Sequence, residues 1–385
     1  MTKKVRTVKI PATPIDGPRL NALKIISGEA DNVPVMSTVL QPIRFVPTIF
    51  SSFNRAVVLG GAPLRVTWLI HGPSASGKSA FALGLVNSYT RYGHLAAYVD
   101  AEHAVSKQWF YELGADMNAI LFKQPDTFEE AIAEIDMWIA NFKQAKKNWH
   151  SKDPKIKAKG IEPNKGFIIV IDTIHKLVPK RELEQLTTPK GAKKKIEDNI
   201  QKGWGRLRAN LISVWIDKMT PVVGKNDITL VMIAHERDNP DQEDWFAPDY
   251  KVKGGQALVY ESMVRTRVTA GSPIKMKKDG KKIITGLTHN INVAKNKVGY
   301  PNENAKIFTS NGKGNAPIGF DLEREVFHEG LRRGIIEISG SWYYLPDGAK
   351  AQGDEQLITY LRDNPDAYQA LFDNLLIDSQ YECAK

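Results

Sequence analysis

Apolar residues along this chain fall into short continuous runs separated by stretches of helical period. Val66, Trp68 and Ile70 form a β-branched and aromatic run, and from Ala80 the spacing turns helical, with Phe81, Leu85, Val86 and Tyr89 one turn apart. Leu95 to Val99 and Phe167 to Ile171 are apolar throughout, as strands buried on both faces of a parallel sheet must be. Ala119 to Phe122 and Ile228 to Ile233 predict two more strands. Between them, Phe128, Ala131, Ile132, Ile135, Ile139 and Phe142 share one face of an amphipathic helix, and a further helix is predicted from about Trp204 to Met219. Strands alternating with helices predict an α/β fold, with a mainly parallel central sheet flanked by helices.

The pattern changes after Gly254-Gly255, where a short helix leads to a strand, Met263 to Thr269, that alternates apolar with polar residues. Asp279-Gly280 between lysines is a hairpin-turn signal, with Ile283 to Ala294 as the returning strand. The last 65 or so residues predict a small α+β unit: a strand at Trp342 to Tyr344 and helices at Gln356 to Leu361 and Pro365 to Leu376. We therefore divide the chain into an N-terminal arm over 1–40, a core over 41–312 and a C-terminal domain over 313–385. The arm is rich in Pro and holds one brief helix candidate, Arg19 to Ile26. Lys143 to Lys165 reads as a solvated surface insertion, with contact to DNA as the alternative for its charge, and Arg181 to Gly203 and Glu236 to Lys253 read as polar loops. A loop as long as the last, inside a compact domain, is a functional candidate.

Chemistry enters at Gly72-Pro73-Ser74-Ala75-Ser76-Gly77-Lys78-Ser79, two glycines separated by four residues and followed by Lys and Ser, between a predicted strand and a helix that Ala80 continues. Glycine permits the close backbone approach a phosphate requires, and the helix start offers unpaired amides to the anion. Lys78 is expected to reach the β and γ phosphates of ATP and the Ser79 hydroxyl to ligate Mg²⁺. Asp172, at the end of the most apolar strand, supplies the second half of such a site by holding Mg²⁺ through a water.

Composition adds one pointer and removes several classes. The net charge of +10 suits an acidic polymer, nucleic acid first. A lone cysteine, Cys383, excludes a disulfide framework and a multi-thiolate metal site. The basic N-terminus lacks the apolar run of a signal peptide and no stretch approaches spanning length, so the expectation is a cytoplasmic protein with no membrane partner.

Taken together, the phosphate loop, Val99-Asp100-Ala101-Glu102-His103-Ala104, Lys123-Gln124-Pro125-Asp126-Thr127, Ile171-Asp172-Thr173, Gly254-Gly255 with Ala257-Leu258, Val293-Ala294-Lys295-Asn296-Lys297 and Asp363-Asn364-Pro365 resemble the bacterial RecA family of DNA strand-exchange recombinases, from about residue 45 to 378. The resemblance implies a RecA-type ATPase core and assigns Glu102 as the carboxylate that polarises the attacking water. Glu102 is expected beside the phosphate loop because their strands neighbour each other in the sheet. Trp109 falls where the family stacks an aromatic on adenine, and His235 where it places its γ-phosphate sensor, usually Gln. Lys295 and Lys297 match a pair that reaches the neighbouring protomer's triphosphate.

The two polar loops correspond to the family's DNA-binding loops. They carry Lys190, Lys193, Lys194 and Lys195 in the first, and Arg237, Trp245, Phe246 and the boundary pair Gly254 and Gly255 in the second. Arg206 and Arg208 are expected phosphate contacts, and Lys275, Lys277, Lys278, Lys281 and Lys282 an expected secondary DNA site. The implied activity is a DNA-dependent ATPase that forms filaments on single-stranded DNA and exchanges strands with homologous duplex. Single-stranded-DNA-binding and loader proteins are further expected partners. The sequence departs from the family in its short N-terminal helix, in the 143–165 insertion, in Ser106 where an Asp contacts adenine, and in lacking an acidic tail. That drift suggests a phage-encoded member. A ring-forming helicase of the same fold and a non-catalytic coat on single-stranded DNA are the alternatives.

Overall fold

The computed structural model describes residues 24–27, 44–57, 60–186, 204–239, 249–278 and 280–376. The chain divides into two compact units, 1–42 and 43–385. In the first, a helical turn at 24–27 is described, overlapping the predicted Arg19 to Ile26 helix.

The second unit opens with β1 (Phe45–Val46), α1 (Ser51–Ala56) and β2 (Ala62–Pro63), then β3 (Thr67–Gly72), α2 (Lys78–Arg91) and β4 (Leu95–Asp100). There follow α3 (Lys107–Glu112), β5 (Ile120–Lys123), α4 (Phe128–Asn148), α5 (Pro154–Lys157), β6 (Phe167–Asp172), α6 (Lys180–Leu186), α7 (Trp204–Lys225) and β7 (Ile228–Asp238). β8 (Tyr250–Val252), α8 (Gln256–Glu261), β9 (Val264–Lys278), β10 (Lys281–Asn296), β11 (Glu303–Ser310) and β12 (Gly319–Phe320) complete the core. The sheet runs β12-β11-β10-β9-β3-β7-β6-β4-β5, with β8 antiparallel to the end of β7. From β9 through β3 to β5 the pairs are parallel; from β9 to β12 they are antiparallel.

That order corrects one expectation. β3 and β4 are not neighbours, because β7 and β6 stand between them. The chain leaves β3 through α2, skips two places, and later fills the gap with β6 and β7.

Side-chain alternation splits these strands between two cores. Trp68, Ile70, Tyr98, Val170 and Val231 pack with Phe81, Leu85 and Tyr89 of α2 on one face. Leu69, Val99, Ile169, Ile171 and Met232 pack with Phe128, Ile135 and Phe142 of α4 and Ile216 of α7 on the other. Continuous apolar runs thus arise because both faces are covered by helices. Phe53 stacks on Trp68 at 5.5 Å and meets Phe81 edge-on at 4.9 Å, fastening α1 to α2 and β3.

The 143–165 stretch is more ordered than a solvated run. α4 continues to Asn148, and Lys146 donates to the Pro163 carbonyl at 2.6 Å and to Asp227 at 3.1 Å. Asp227 also pairs with Arg44 and Arg65, so these cations hold its carboxyl below the usual range against the opposing effect of burial. The polar 236–253 region likewise begins and ends in structure, since β7 runs on to Asp238 and β8 returns beside it.

The C-terminal elements are α9 (Leu322–Arg332), β13 (Glu337–Ser339), β14 (Trp342–Tyr344), β15 (Lys350–Gln352), α10 (Asp354–Asp363) and α11 (Pro365–Leu376), around their own core of Phe327, Leu357, Leu361 and Phe372. One side chain ties them to the sheet. The start of α1 lacks a side-chain cap of its own. Glu325 of α9 supplies it, accepting from Ser51 N at 3.1 Å, Ser51 Oγ at 2.6 Å and Ser52 N at 2.6 Å. Burial pushes this carboxyl up to about 7, and the Ser51 and Ser52 donors work against that rise. Arg55 of α1 reaches back to Glu329 at 2.7 Å. Glu325→Ala leaves buried amides unpaired and should destabilise the fold by about 2–3 kcal/mol, read as a lowered urea midpoint at unchanged slope.

Candidate active site

The phosphate loop is shaped by its neighbours before any ligand arrives. A Cβ on Gly72 would lie 2.0 Å from the Val268 carbonyl oxygen of β9, so the first glycine serves the β3–β9 approach. Gly77 has φ +96°, and a Cβ there would lie 2.4 Å from Nδ1 of His289. His289, on β10, donates from Nδ1 to the Ser76 carbonyl at 2.9 Å, since a carbonyl only accepts. Burial lowers its pKa, and the neutral ring then accepts at Nε2 from the Thr309 hydroxyl, 2.9 Å away. This buttress was not predicted; a histidine two hundred residues downstream carries no local signal of it.

α2 begins at Lys78 without a side-chain cap and with no acidic residue in its first turn, which leaves the positive helix end open to an anion. Lys78 is buried and donates to the Pro73 carbonyl at 2.6 Å. Burial lowers its pKa while Asp172, Glu102 and Glu236 raise it. Asp172, at the end of β6, accepts from the Tyr98 hydroxyl at 2.6 Å through Oδ2, and its Oδ1 is buried with no hydrogen-bond partner. Burial raises its pKa, with the Ser79 and Tyr98 hydroxyls opposing. An orphaned carboxylate oxygen near Ser79 is the acceptor that a Mg²⁺-bound water requires, so the residues fit the cation.

Parallel register carries the remaining groups to the same place. Gly72 pairs with His235, and Asp100 with Asp172. Asp100 accepts from the amides of Glu102 and Val105, both at 3.2 Å, and from Gln124 Nε2 at 3.0 Å, and so shapes the turn that carries Glu102. Glu102 Oε1 accepts from the Thr173 hydroxyl at 3.0 Å and lies 3.5 Å from His235 Nε2. Ser74 through Ala80, Glu102, Trp109 and His235 line one cavity of about 400 Å³. Its far wall, again unforeseen, comes from the antiparallel half through His289, Thr309, Ser310, Ile318 and Gly319. Ser106 caps α3, accepting from Trp109 N at 3.2 Å, and so sets the indole's approach.

Lys295 and Lys297 are not brought to this cavity. Lys295 donates to the Tyr260 carbonyl at 2.6 Å and the Val259 carbonyl at 3.3 Å, at the end of α8, and Lys297 is exposed.

A second cavity, about 440 Å³, gathers Arg208, Arg237, Gly254 and Gly255 with His175, Lys251 and Lys253. Arg208 is held in a bidentate pair by Glu182 of α6, and Arg206 is exposed beside it in sequence. Both glycines have φ +102°. Lys190, Lys193, Lys194, Lys195, Trp245 and Phe246 lie outside the described residues. On the β9–β10 hairpin Lys275, Lys277, Lys281 and Lys282 are exposed, and register sets Lys277 opposite Lys282 and Lys278 opposite Lys281.

Two contacts bridge the cavities. His175, just beyond β6, packs its ring 4.9 Å from that of His235. Burial and the nearby His235 drive its pKa down to about 3, so the ring is neutral. Glu236, next to His235, accepts from Arg267 at 2.9 and 3.0 Å and pairs with His71 at 2.7 Å, while Arg267 lies 4.0 Å over the Tyr250 ring. The carboxyl end of β3 and, through Arg267 over Tyr250, the returning end of the second loop thus meet on one buried carboxylate.

Comparison with known proteins places this geometry. Family models described as the RecA N-terminal domain and the RecA C-terminal domain match residues 22–143 and 324–376. The chain is 31% identical over 333 residues to Protein RecA of Salinispora tropica, covering 86% of this chain and 81% of that one. It is 31% identical over 325 residues to Protein RecA of Kineococcus radiotolerans, 84% and 80% of the two chains. With Protein RecA of Thermotoga neapolitana the figures are 29% over 333 residues, 85% and 82%. The crystal structure of the RadB recombinase superposes with a TM-score of 0.41 at 17% identity, over 66% of this chain and 92% of that one, a likeness too loose to add weight. On these relatives, matched along most of their own length, the chain belongs to the RecA family.

Proposed function

We propose that this protein is a DNA-dependent ATPase and strand-exchange recombinase, which assembles on single-stranded DNA with ATP and Mg²⁺ bound at the joints between protomers. The observation that carries the reading is a site with one half built. The cavity holds the loop, the sensor position and Glu102, yet Lys78 is the sole Lys or Arg among the described residues that line it. A transferring γ phosphate develops charge that one lysine does not balance, and such charge is met elsewhere by cations supplied in trans. Lys295 and Lys297 do not line this cavity, and in this reading they serve a neighbour's.

In this reading the amides of Ser74 to Ser79 and the start of α2 bind the phosphates, and Trp109 lies against the base. Lys78 exchanges its Pro73 carbonyl for phosphate oxygen. Ser79 and Asp172 would hold Mg²⁺, and the cation would supply charge neutralisation to the phosphates. Glu102, oriented by Thr173, polarises the attacking water, and neutral His235 donates to the γ phosphate. Hydrolysis is reported across the His175–His235 contact and Glu236 to the cavity at the base of the DNA loops. DNA is held there by Arg206, Arg208, Arg237 and the loop lysines, while the lysine hairpin takes the second, duplex strand. Contacts of this kind read backbone, so binding tolerates sequence and homology is tested by base pairing.

Lys78→Ala should abolish DNA-stimulated phosphate release. Glu102→Ala should lower it by about 10² or more while leaving binding of a fluorescent ATP analogue intact; normal turnover would remove Glu102 from its role. Affinity for a single-stranded oligonucleotide should fall by about 10³ between 50 and 200 mM salt, measured by anisotropy, and a flat response would contradict a phosphate-dominated mode. Electron microscopy with a slowly hydrolysed ATP analogue should show helical filaments, and closed hexamers alone would favour a helicase.

A further inference from the structure

We infer that Glu102, His175 and His235 form a site for a borderline-soft divalent cation of the zinc class, distinct from the Mg²⁺ of the phosphate loop, and that its occupation blocks ATP turnover. The three side chains come from the carboxyl ends of three adjacent parallel strands, β4, β6 and β7. One ligand atom from each lies within 4.8 Å of the others, a grouping not repeated among the described His, Cys, Asp and Glu residues. Zinc at about 2.0–2.1 Å from each ligand in tetrahedral geometry separates neighbouring ligand atoms by about 3.3–3.4 Å. His235 Nε2 and Glu102 Oε1, at 3.5 Å, already span one such edge. The two edges to His175, each within 4.8 Å, close by rotation of its side chain, and the two imidazoles are tilted 55° to each other and not stacked flat.

A second observation points to an absent partner. Both ring nitrogens of His175 are buried and neither has a hydrogen-bond partner. An unpaired buried donor destabilises the fold, a cost that an apolar residue at this position would avoid. Glu102 is in turn oriented by the Thr173 hydroxyl at 3.0 Å, the outer support that ligating carboxylates use. Two imidazoles and one carboxylate select zinc, cobalt or nickel over Mg²⁺, which takes oxygen ligands in an octahedron. Three protein ligands leave a fourth position for water.

The consequence for turnover rests on the function proposed above; binding of the cation does not. A coordinated Glu102 gives its charge to the cation and is a much weaker base toward water, and a coordinated His235 Nε2 cannot donate to phosphate. Because His175 lines the DNA-side cavity while Glu102 and His235 line the nucleotide cavity, the cation would sit in the wall between them.

Cobalt is the direct probe. Tag-free full-length protein in excess Mg²⁺ should develop the visible absorption of low-coordinate Co²⁺, saturating at about one ion per chain and bleached by zinc. His175→Ala should weaken that binding at least about 10-fold, with the circular dichroism unchanged, and His235→Gln should do the same whatever it does to catalysis. In parallel, zinc should inhibit DNA-stimulated ATP turnover of the natural protein at concentrations that leave His175→Ala at its own uninhibited rate. Absence of the cobalt band, or a band indifferent to both substitutions, overturns the site. A band that depends on His175 together with turnover indifferent to zinc overturns the blockade and with it the catalytic part given to Glu102. Turnover that fails in the natural protein without any zinc would instead count against the proposed function alone.

Discussion

The backbone hydrogen bonds that pair β3 with β7, β7 with β6 and β6 with β4 fix a single register, with Gly72 opposite His235 and Asp100 opposite Asp172. Of the candidate site's groups, Glu102, Asp172, Thr173 and His235 lie at or within two residues of those pairs. Because side chains alternate across a strand, a slip of one residue would turn Asp172 into the wrong face and carry Ile169 and Val170 out of their respective cores. The two helical layers, each packed on one set of alternate residues, make that slip prohibitively costly. Rigidity of the site is therefore a by-product of sheet burial.

Inside that frame the charges compensate one another. Lys78 and Asp172 are both buried deeply enough for solvation loss to act against their ionised forms, and each is part of the other's surroundings. A buried ion kept without good partners is expensive, so the free site holds its lysine on the Pro73 carbonyl and its aspartate on Tyr98. These are partners that a triphosphate and a cation can replace. Glu236 shows the contrasting case: with His71 and Arg267 both on its carboxylate, its pKa is lowered despite burial, and nothing about the triad invites exchange.

What the sequence made legible follows the range of each interaction. The phosphate loop was readable because strand, glycines, lysine and helix are consecutive, and the β9–β10 hairpin because its turn lies between its own strands. The sheet order was not, since β6 and β7 insert between β3 and β4 only after long excursions of chain. His289 and Thr309 were missed for the same reason: they touch the loop from strands that a local pattern marks only as half-buried. Glu325 was equally invisible, for it caps a helix 274 residues upstream. Glu102, Trp109 and His235 were located by resemblance, and the structure explains their company through register, whereas the strand adjacency expected for Glu102 failed.

The excess positive charge is unevenly employed, and that sharpens what it signifies. Arg44, Arg65 and Lys146 are consumed on Asp227, where they fasten the 143–165 segment to the start of β7. Arg208 is oriented by Glu182 while it lines the second cavity. On the hairpin the opposite holds: register sets Lys277 directly opposite Lys282, and among the described residues Lys275, Lys277, Lys281 and Lys282 pair with no carboxylate. Like charges placed directly opposite destabilise a β-ribbon by a few tenths of a kcal/mol per pair, so folding alone does not favour them. A polyanion lying along the ribbon would convert each repulsion into a shared attraction, and net charge by itself never made that distinction.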